Sequence, residues 1–197
     1  MRIDIVCFHG LDELDAVGPL EVFRNAEAAG VDLEVRLVTR QPVDQVVASH
    51  GLAFRPDGVF APGADVVLVP GGSWAARREV GAWGEVRRGE WLPLLAEAAA
   101  GGALMTSVCT GALLLAHAGI IGRRRATTHH SAWDDLVATG ATLVKERVVD
   151  DGDLVTAGGV TSGIDLALWL VERFSSAELA DQLADGLEYR RTRPADR

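Results

Sequence analysis

The chain has 197 residues, of which 48% are hydrophobic and 24% are charged, an ordinary balance for a globular domain. Its formal net charge of −9 argues against general nucleic-acid binding, and no apolar run is long enough to span a bilayer. Two cysteines are too few for a disulfide framework, so the composition favours a reducing cytoplasm. The first residues lead directly into a strand, and we therefore expect no signal peptide.

Short strands alternate with helical stretches along the chain. The strands predicted from apolar and β-branched runs are 2–8, 33–39, 65–70, 103–108, 126–129, 142–149 and 154–157, with weaker signals near 46–48 and 52–54. The predicted helices are 18–29, 83–100 with an interruption near Gly89, 112–118, 132–139, 162–174 and 177–187. In the first helix, Pro19 falls in the first turn, where proline is tolerated.

This alternation predicts an α/β domain. Continuous apolar strands between helices are typical of a mostly parallel sheet that is covered on both faces. We expect a single domain over residues 1–190 and a frayed tail over residues 191–197. Ligands of such sheets bind outside the carboxyl ends of the strands, so the residues that follow each strand are the first candidates for a site.

Cys109 lies between the predicted strand 103–108 and the helix that follows. A strand that turns directly into a helix at a cysteine, with Gly111 two residues on, has the layout of a nucleophile elbow. The sulfur would then lie at a helix N-terminus, where unpaired N–H groups favour the thiolate. The alternative is an inert cysteine that packs as a small hydrophobe.

Two other predicted strand ends favour the functional interpretation of Cys109. The loop after Phe8 and the turn Pro70-Gly71-Gly72 fall at the same edge of the sheet as the cysteine. Candidate donors to a developing negative charge are the backbone N–H groups of Gly71, Gly72 and Thr110. A plain turn is the alternative interpretation of Gly71-Gly72.

A cysteine nucleophile also needs a group that moves protons. Four carboxylates near the start of the first helix are candidates, namely Asp12, Glu13, Asp15 and Glu21. Local reasoning prefers Asp15, which stands just before the predicted helix, although it could serve only as the N-cap of that helix.

His129 is a second candidate base, although a histidine after a strand is more often a structural hydrogen-bonding residue. Thr110 follows the cysteine directly, so a dyad of Cys109 with an adjacent histidine is excluded. We predict no metal or cofactor site, because the two cysteines are far apart and His129 and His130 point in different directions on a strand. Cys7 is a candidate resolving thiol, or simply a buried residue of the first strand.

Five segments carry a family resemblance. They are 15–23 (DAVGPLEVF), 69–72 (VPGG), 107–111 (SVCTG), 126–129 (ATTH) and 157–165 (AGGVTSGID). Together they resemble the DJ-1/PfpI superfamily, which is class I glutamine-amidotransferase-like. The branch they resemble in particular contains isonitrile (cyclohexyl-isocyanide) hydratases and the amidase-like N-terminal domains of AraC-type regulators. The resemblance extends from the first strand to Tyr189-Arg190.

The resemblance implies a flavodoxin-like three-layer sandwich, usually homodimeric, with Cys109 as nucleophile, Asp15 as its acidic partner and the hydroxyl of Thr110 assisting. Asp15 takes the place of a glutamate found in many members. Thr110 stands where the peptidase-like branch has histidine, so we do not expect proteolysis. The helix-turn-helix extension of the AraC-type regulators has no counterpart in this sequence, so we expect no direct DNA binding.

The leading hypothesis is an isonitrile hydratase. In it the Cys109 thiolate attacks the isonitrile carbon, Asp15 protonates that carbon, and water converts the resulting thioimidate to an N-substituted formamide. A glyoxalase III- or deglycase-like reaction on methylglyoxal, with His129 as base, is the alternative enzyme. A non-enzymatic redox sensor, in which Cys109 oxidises reversibly, is the third hypothesis. Four tryptophans are candidates for a pocket, a dimer interface or plain packing, namely Trp74, Trp83, Trp91 and Trp133.

Overall fold

A computed structural model describes residues 1–194 of the chain. Its strands are β1 (Arg2–Val6), β2 (Glu34–Thr39), β3 (Val46–Val47), β4 (Ala53–Phe54), β5 (Gly58–Val59), β6 (Val66–Val69), β7 (Leu104–Val108), β8 (Arg125–Ala126), β9 (Thr142–Leu143), β10 (Val148–Asp150) and β11 (Leu154–Ala157). Its helices are α1 (Glu13–Ala28), α2 (Ala82–Arg88), α3 (Leu92–Ala100), α4 (Gly111–His117), α5 (Trp133–Ala138), α6 (Ser162–Phe174) and α7 (Ala177–Gly186), with a short 3-10 helix at His130–Ala132.

A seven-stranded sheet forms the centre of the structure, in the order β10-β11-β7-β6-β1-β2-β5. Every neighbouring pair is parallel except β10 and β11. The strand order reverses between β1 and β6, so the crevice at their carboxyl ends is where a ligand is expected. The predicted fold class, a mostly parallel α/β sheet, is confirmed.

Two layers of helices cover this sheet. α1, α6 and α7 pack together in one layer, whereas α4 packs against α2, α3 and α5 in the other. Because both faces are covered, every residue of β6 and of β11 is buried. None of the helices within residues 1–194 has the length and apolar character needed to cross a membrane.

The first helix begins five residues earlier than the sequence predicts. It starts at Glu13, with the side chain of Asp12 as its N-cap, so Asp15 lies in the first turn. Pro19 is therefore inside the helix, where it removes one backbone hydrogen bond. Packing against α6 accommodates it, because a Cβ added to Gly163 would lie only 3.1 Å from the proline ring.

The short elements depart most from their predicted bounds. The predicted strand 142–149 is two separate strands, β9 and β10, and the predicted strand 126–129 is reduced to β8. β5 was not predicted, because two residues at a sheet edge carry no periodic signal. The expected interruption at Gly89 is present, since this residue has a φ of 72° and separates α2 from α3.

Residues after α7 are tied to the rest of the structure. Arg191 pairs with Glu172 (2.5 Å) and Asp181 (2.6 Å), and the Thr192 N–H donates to Asp165 Oδ1 (2.5 Å). Residues 191 and 192 are thus held where the sequence predicts a frayed end, and residues 195–197 of that prediction lie outside the described residues. The domain boundary at residue 190 stays a prediction.

Gly111 is the point at which α4 meets the end of β6. A Cβ on this residue would overlap the carbonyl oxygen of Val69. We expect Gly111→Ala to lower the free energy of unfolding by about 3 kcal/mol, measured by urea denaturation, because the strand or the helix must move. Gly101→Ala is the control, since its Cβ would approach no atom closer than 3.4 Å. Equal losses in the two variants would contradict this interpretation.

Candidate active site

The turn between β7 and α4 holds Cys109 in a strained conformation. Its φ is 55°, in the left-handed region that non-glycine residues rarely adopt and that marks a nucleophile elbow. Its N–H donates to the carbonyls of Ala157 (3.1 Å) and Gly158 (2.8 Å), and the Thr128 hydroxyl donates to its carbonyl (2.8 Å). The turn that the sequence predicts is therefore present and is held from both sides.

The end of β6 packs directly against this turn. Gly71 lies so close to Thr110 that a Cβ would overlap the backbone nitrogen and the hydroxyl of the threonine. The Gly72 N–H donates to Thr110 Oγ1 (3.0 Å). Because that oxygen accepts a hydrogen bond, the hydroxyl hydrogen is left to donate to a ligand. The structure thus brings Gly71, Gly72, Cys109 and Thr110 together.

Asp15 reaches the same point from the first turn of α1. Its side chain is fully buried, and Oδ2 accepts a hydrogen bond from the Gly71 N–H (2.9 Å). Oδ1 has no hydrogen-bond partner among the described nitrogen and oxygen atoms. Burial raises the pKa of Asp15 well above its usual value and the Asp12 charge adds to this, against the opposing hydrogen bonds from Gly71 and the Cys109 thiol. Asp15 therefore favours its neutral acid form.

The Cys109 thiol also favours its neutral form. Burial raises its pKa well above the usual value and the Asp15 charge adds to this, whereas N–H groups of Thr110 and Val160 act in the opposite direction. The N–H group at the start of α4 acts in the direction that the sequence predicts. The N–H groups do stabilise negative charge, but desolvation of a sulfur in a residue only 6% exposed outweighs them.

The N–H groups that face the sulfur differ in part from those the sequence suggests. Both the Gly71 and the Gly72 N–H are occupied, by Asp15 and Thr110 respectively. The backbone N–H groups of Thr110, also a predicted candidate, and of Val160 act to lower the pKa of the Cys109 thiol, and both residues line the cavity with it. Val160 was missed because it lies on the loop after β11, far from the cysteine in sequence.

The other three predicted carboxylates, Asp12, Glu13 and Glu21, lie outside the contacts that join Asp15 to the cysteine turn. Asp12 caps α1, and Glu21 is exposed. Glu13 accepts hydrogen bonds from the backbone N–H groups of His50 (2.7 Å) and Leu52 (3.2 Å) and from the His50 ring (2.7 Å). Although burial opposes them, these bonds lower the pKa of Glu13 to about 2, so it is a permanent anion.

Asp12, Glu13 and His50 lie as close together as metal ligands do. The hydrogen bonds by which Glu13 closes the loop 49–52 account for this arrangement.

His129 lines the same cavity as Cys109. The Ser131 N–H donates to its Nδ1 (3.2 Å), which places the proton of the neutral ring on Nε2. The ring packs on Gly159, where a Cβ would lie 2.6 Å from Cδ2. Burial lowers the pKa of His129, and the neighbouring His130 adds to this.

Cys109 and Thr110 contribute to a cavity of about 390 Å³, a size suited to small molecules. Trp74, which is 3% exposed, and Val160 supply apolar lining. Exposed residues of the lining are His50, Ala75, Ala76, Arg78 and Ser131. The cavity therefore combines a buried thiol and apolar surface with a polar, exposed entrance.

Trp74 is the candidate tryptophan that lines this cavity. Its Nε1 donates to Asp135 (2.6 Å), which fixes the ring. Trp83 packs edge-on against it, with ring centroids 5.1 Å apart. Trp91 packs edge-on against Phe60, and Trp133 lies beneath the Lys145 ammonium.

Cys7 lies apart from this site. Its thiol donates to the Ile5 carbonyl (3.4 Å) and lines a separate cavity of about 140 Å³ beside Trp91. Burial raises the pKa of the Cys7 thiol. A resolving role toward Cys109 gains no support from this placement.

The buried Asp15 carboxyl makes stability depend on pH. Its pKa rises on folding from an ordinary value of 3.8, so the fold is favoured fully below that pH and less as pH rises toward the folded value. We expect Asp15→Asn, which retains an acceptor for Gly71, to raise the Tm by an amount that grows as the pH rises above about 4. Asp57→Asn is the control, since Asp57 is exposed and accepts the Leu37 N–H (2.7 Å). A gain independent of pH would contradict this account.

Known proteins resemble this chain in sequence over most of its length. The model of the DJ-1/PfpI family matches residues 1–173. Isonitrile hydratase of Pseudomonas putida is 37% identical over 198 residues, which cover 100% of this chain and 82% of that protein. The Parkinson disease protein 7 homolog of Danio rerio is 31% identical, over 92% of this chain and 94% of its own length.

A solved structure from the same family has the same fold as this chain. A THiJ/PfpI family protein from Pseudomonas syringae superposes with a TM-score of 0.83 at 28% identity, covering 99% of this chain and 77% of that one. The expected family resemblance is confirmed over most of the sequence, and the chain belongs to the DJ-1/PfpI family.

Proposed function

We propose that this protein is an isonitrile hydratase, which adds water to R–NC and releases the formamide R–NH–CHO. The observation that carries the proposal is the buried acid Asp15 beside the Cys109 thiol, next to a cavity that Cys109 and Thr110 line together with Trp74 and Val160. The 37% identity with the Pseudomonas putida isonitrile hydratase over the whole chain supports it.

The neutral state of Asp15 and Cys109 suits the first step, because an isonitrile carbon needs both a proton and a nucleophile. Asp15 donates its proton to that carbon while the Cys109 sulfur bonds to it, and the thiol proton passes to the Asp15 carboxylate. The S–H bond breaks, and C–S and C–H bonds form. The product is the thioimidate R–N=CH–S–Cys109, with Asp15 protonated again.

Hydrolysis of the thioimidate completes the reaction. Water, positioned by Asp15 or by the free hydroxyl hydrogen of Thr110, bonds to the carbon while Asp15 protonates the nitrogen and takes a proton from the water. The C–S bond of the adduct then breaks, a C=O bond forms, and the hydroxyl proton returns to the sulfur. The N–H groups of Thr110 and Val160 stabilise the charge that develops on sulfur during attack and departure.

Cysteine variants test this mechanism. Given cyclohexyl isocyanide, the wild type is expected to form N-cyclohexylformamide, followed by chromatography, and Cys109→Ala to lose about a thousandfold or more of kcat. Cys7→Ala is the matched control, because its sulfur lies in a separate cavity, and it should retain activity. No turnover by the wild type would contradict the function, and full activity of Cys109→Ala would contradict the mechanism.

A glyoxalase-type reaction on methylglyoxal is the second candidate, because His129 shares the cavity with Cys109. If His129 is a base that moves protons between carbons, His129→Ala should lower lactate formation about a hundredfold. Under the hydratase proposal, wild type forms no lactate, and His129→Ala retains most of its activity toward the isonitrile. The exposed neighbour His130, changed to alanine, controls for loss of ring packing.

A primary role in redox sensing is less well supported. The thiolate is the form that peroxide oxidises, and the Cys109 thiol is buried with a raised pKa. We further propose a cytoplasmic homodimer that works on a small molecule without metal or cofactor and without nucleic-acid or membrane partners. This part of the proposal rests on composition and family resemblance.

A further inference from the structure

The segment 157–165, one of the five that carry the family resemblance, contributes only the Val160 N–H to the proposed mechanism. Its first part is the loop 158–161 between β11 and α6. The Gly158 carbonyl accepts the N–H of Cys109 (2.8 Å), and Val160 lines the cavity beside the cysteine. Two consecutive glycines make this loop intrinsically mobile, so something else must fix its conformation.

Arg147 holds this loop at both ends. Its carbonyl accepts the Gly158 N–H (2.9 Å), and its Nη2 donates to the hydroxyl of Thr161 (3.1 Å). The two contacts bracket Gly159 and Val160. The Gly158 end of the loop is thus held by the Arg147 backbone, whereas the Thr161 end depends on where the Arg147 side chain is held.

Asp165, in the first turn of α6, fixes that side chain. It is fully buried, and its Oδ2 accepts hydrogen bonds from Arg147 Nε (2.7 Å) and from the Tyr189 hydroxyl (2.8 Å). Arg147 Nη2 also donates to the Tyr189 oxygen (2.9 Å). A planar guanidinium held by a buried carboxylate and a phenol has little freedom, because each charge-assisted bond restrains the same group.

We propose that Arg147, Asp165 and Tyr189 are positioning residues that hold the loop 158–161 against Cys109, whose N–H donates to the Gly158 carbonyl, so that the Val160 N–H can stabilise the negative charge forming on the Cys109 sulfur. The effect of this positioning on catalysis rests on the proposed hydratase function. The effect of this positioning on the reactivity of the Cys109 thiol is independent of that function. Alkylation of Cys109 by iodoacetamide measures it without any isonitrile.

Two variants that conserve net charge test the proposal. Tyr189→Phe removes one hydroxyl, and Arg147→Lys keeps the positive charge but loses the planar fork. In both, we expect the pH profile of Cys109 alkylation, resolved by peptide mass spectrometry, to move upward by about one pH unit, so that the rate at a fixed lower pH falls about tenfold. Toward an isonitrile, kcat should fall while KM changes little, since the Val160 N–H acts on charge absent from the bound substrate.

Arg124→Lys is the matched control, because Arg124 makes the same kind of pair with Asp151 (2.8 Å) at the β10–β11 turn. It is expected to leave the alkylation profile unchanged. The proposal is overturned if Tyr189→Phe follows the wild-type profile, or if Arg124→Lys shifts it equally. If Arg147→Lys does not fold, as judged by its thermal transition, Tyr189→Phe decides alone. Failure of wild type to turn over isonitriles would refute the hydratase function without affecting the alkylation result.

Discussion

Asp15 is a carboxyl group without access to water whose one backbone hydrogen bond comes from Gly71. A carboxylate in such surroundings is strongly disfavoured, so the folded protein keeps the group as an acid. The burial that raises the pKa of Asp15 also acts on the neighbouring thiol. The Cys109 thiol beside it is buried as well, and burial raises its pKa in the same direction.

The backbone around Asp15 reflects the same constraint. Gly71 must approach Thr110 more closely than any side chain allows, because it donates to the carboxyl while the next residue donates to the threonine hydroxyl. The β6 end, the start of α1 and the elbow therefore form one hydrogen-bonded unit.

Much of this arrangement could be predicted from sequence. The strand, cysteine and glycine of the elbow are local features, and so is the run of apolar strands that sets the parallel sheet. The start of α1 could not be placed locally, because Gly18-Pro19 has the composition of a helix start and only packing against Gly163 keeps the proline inside the helix. Asp15 could be selected among four carboxylates chiefly through the family resemblance.

The donors to the sulfur show a second limit. Gly71 and Gly72 have the composition of an anion-binding turn, but tertiary contacts direct their N–H groups to Asp15 and Thr110. Val160 carries no local signal at all, since any residue has an N–H and only the path of the loop aims it. Backbone donors are set by topology, which a sequence pattern reflects only indirectly.

The anchor of the loop 49–52 has a consequence for how the cavity responds to pH. Glu13 stays ionised at all but the most acidic pH, and two of its bonds come from backbone N–H groups that never titrate. The loop beside His50 therefore keeps this anchor at all but the most acidic pH. A change of charge at this entrance therefore comes from the His50 ring, whose pKa is raised by its hydrogen bond to Glu13, while the Glu13 anchor itself stays ionised.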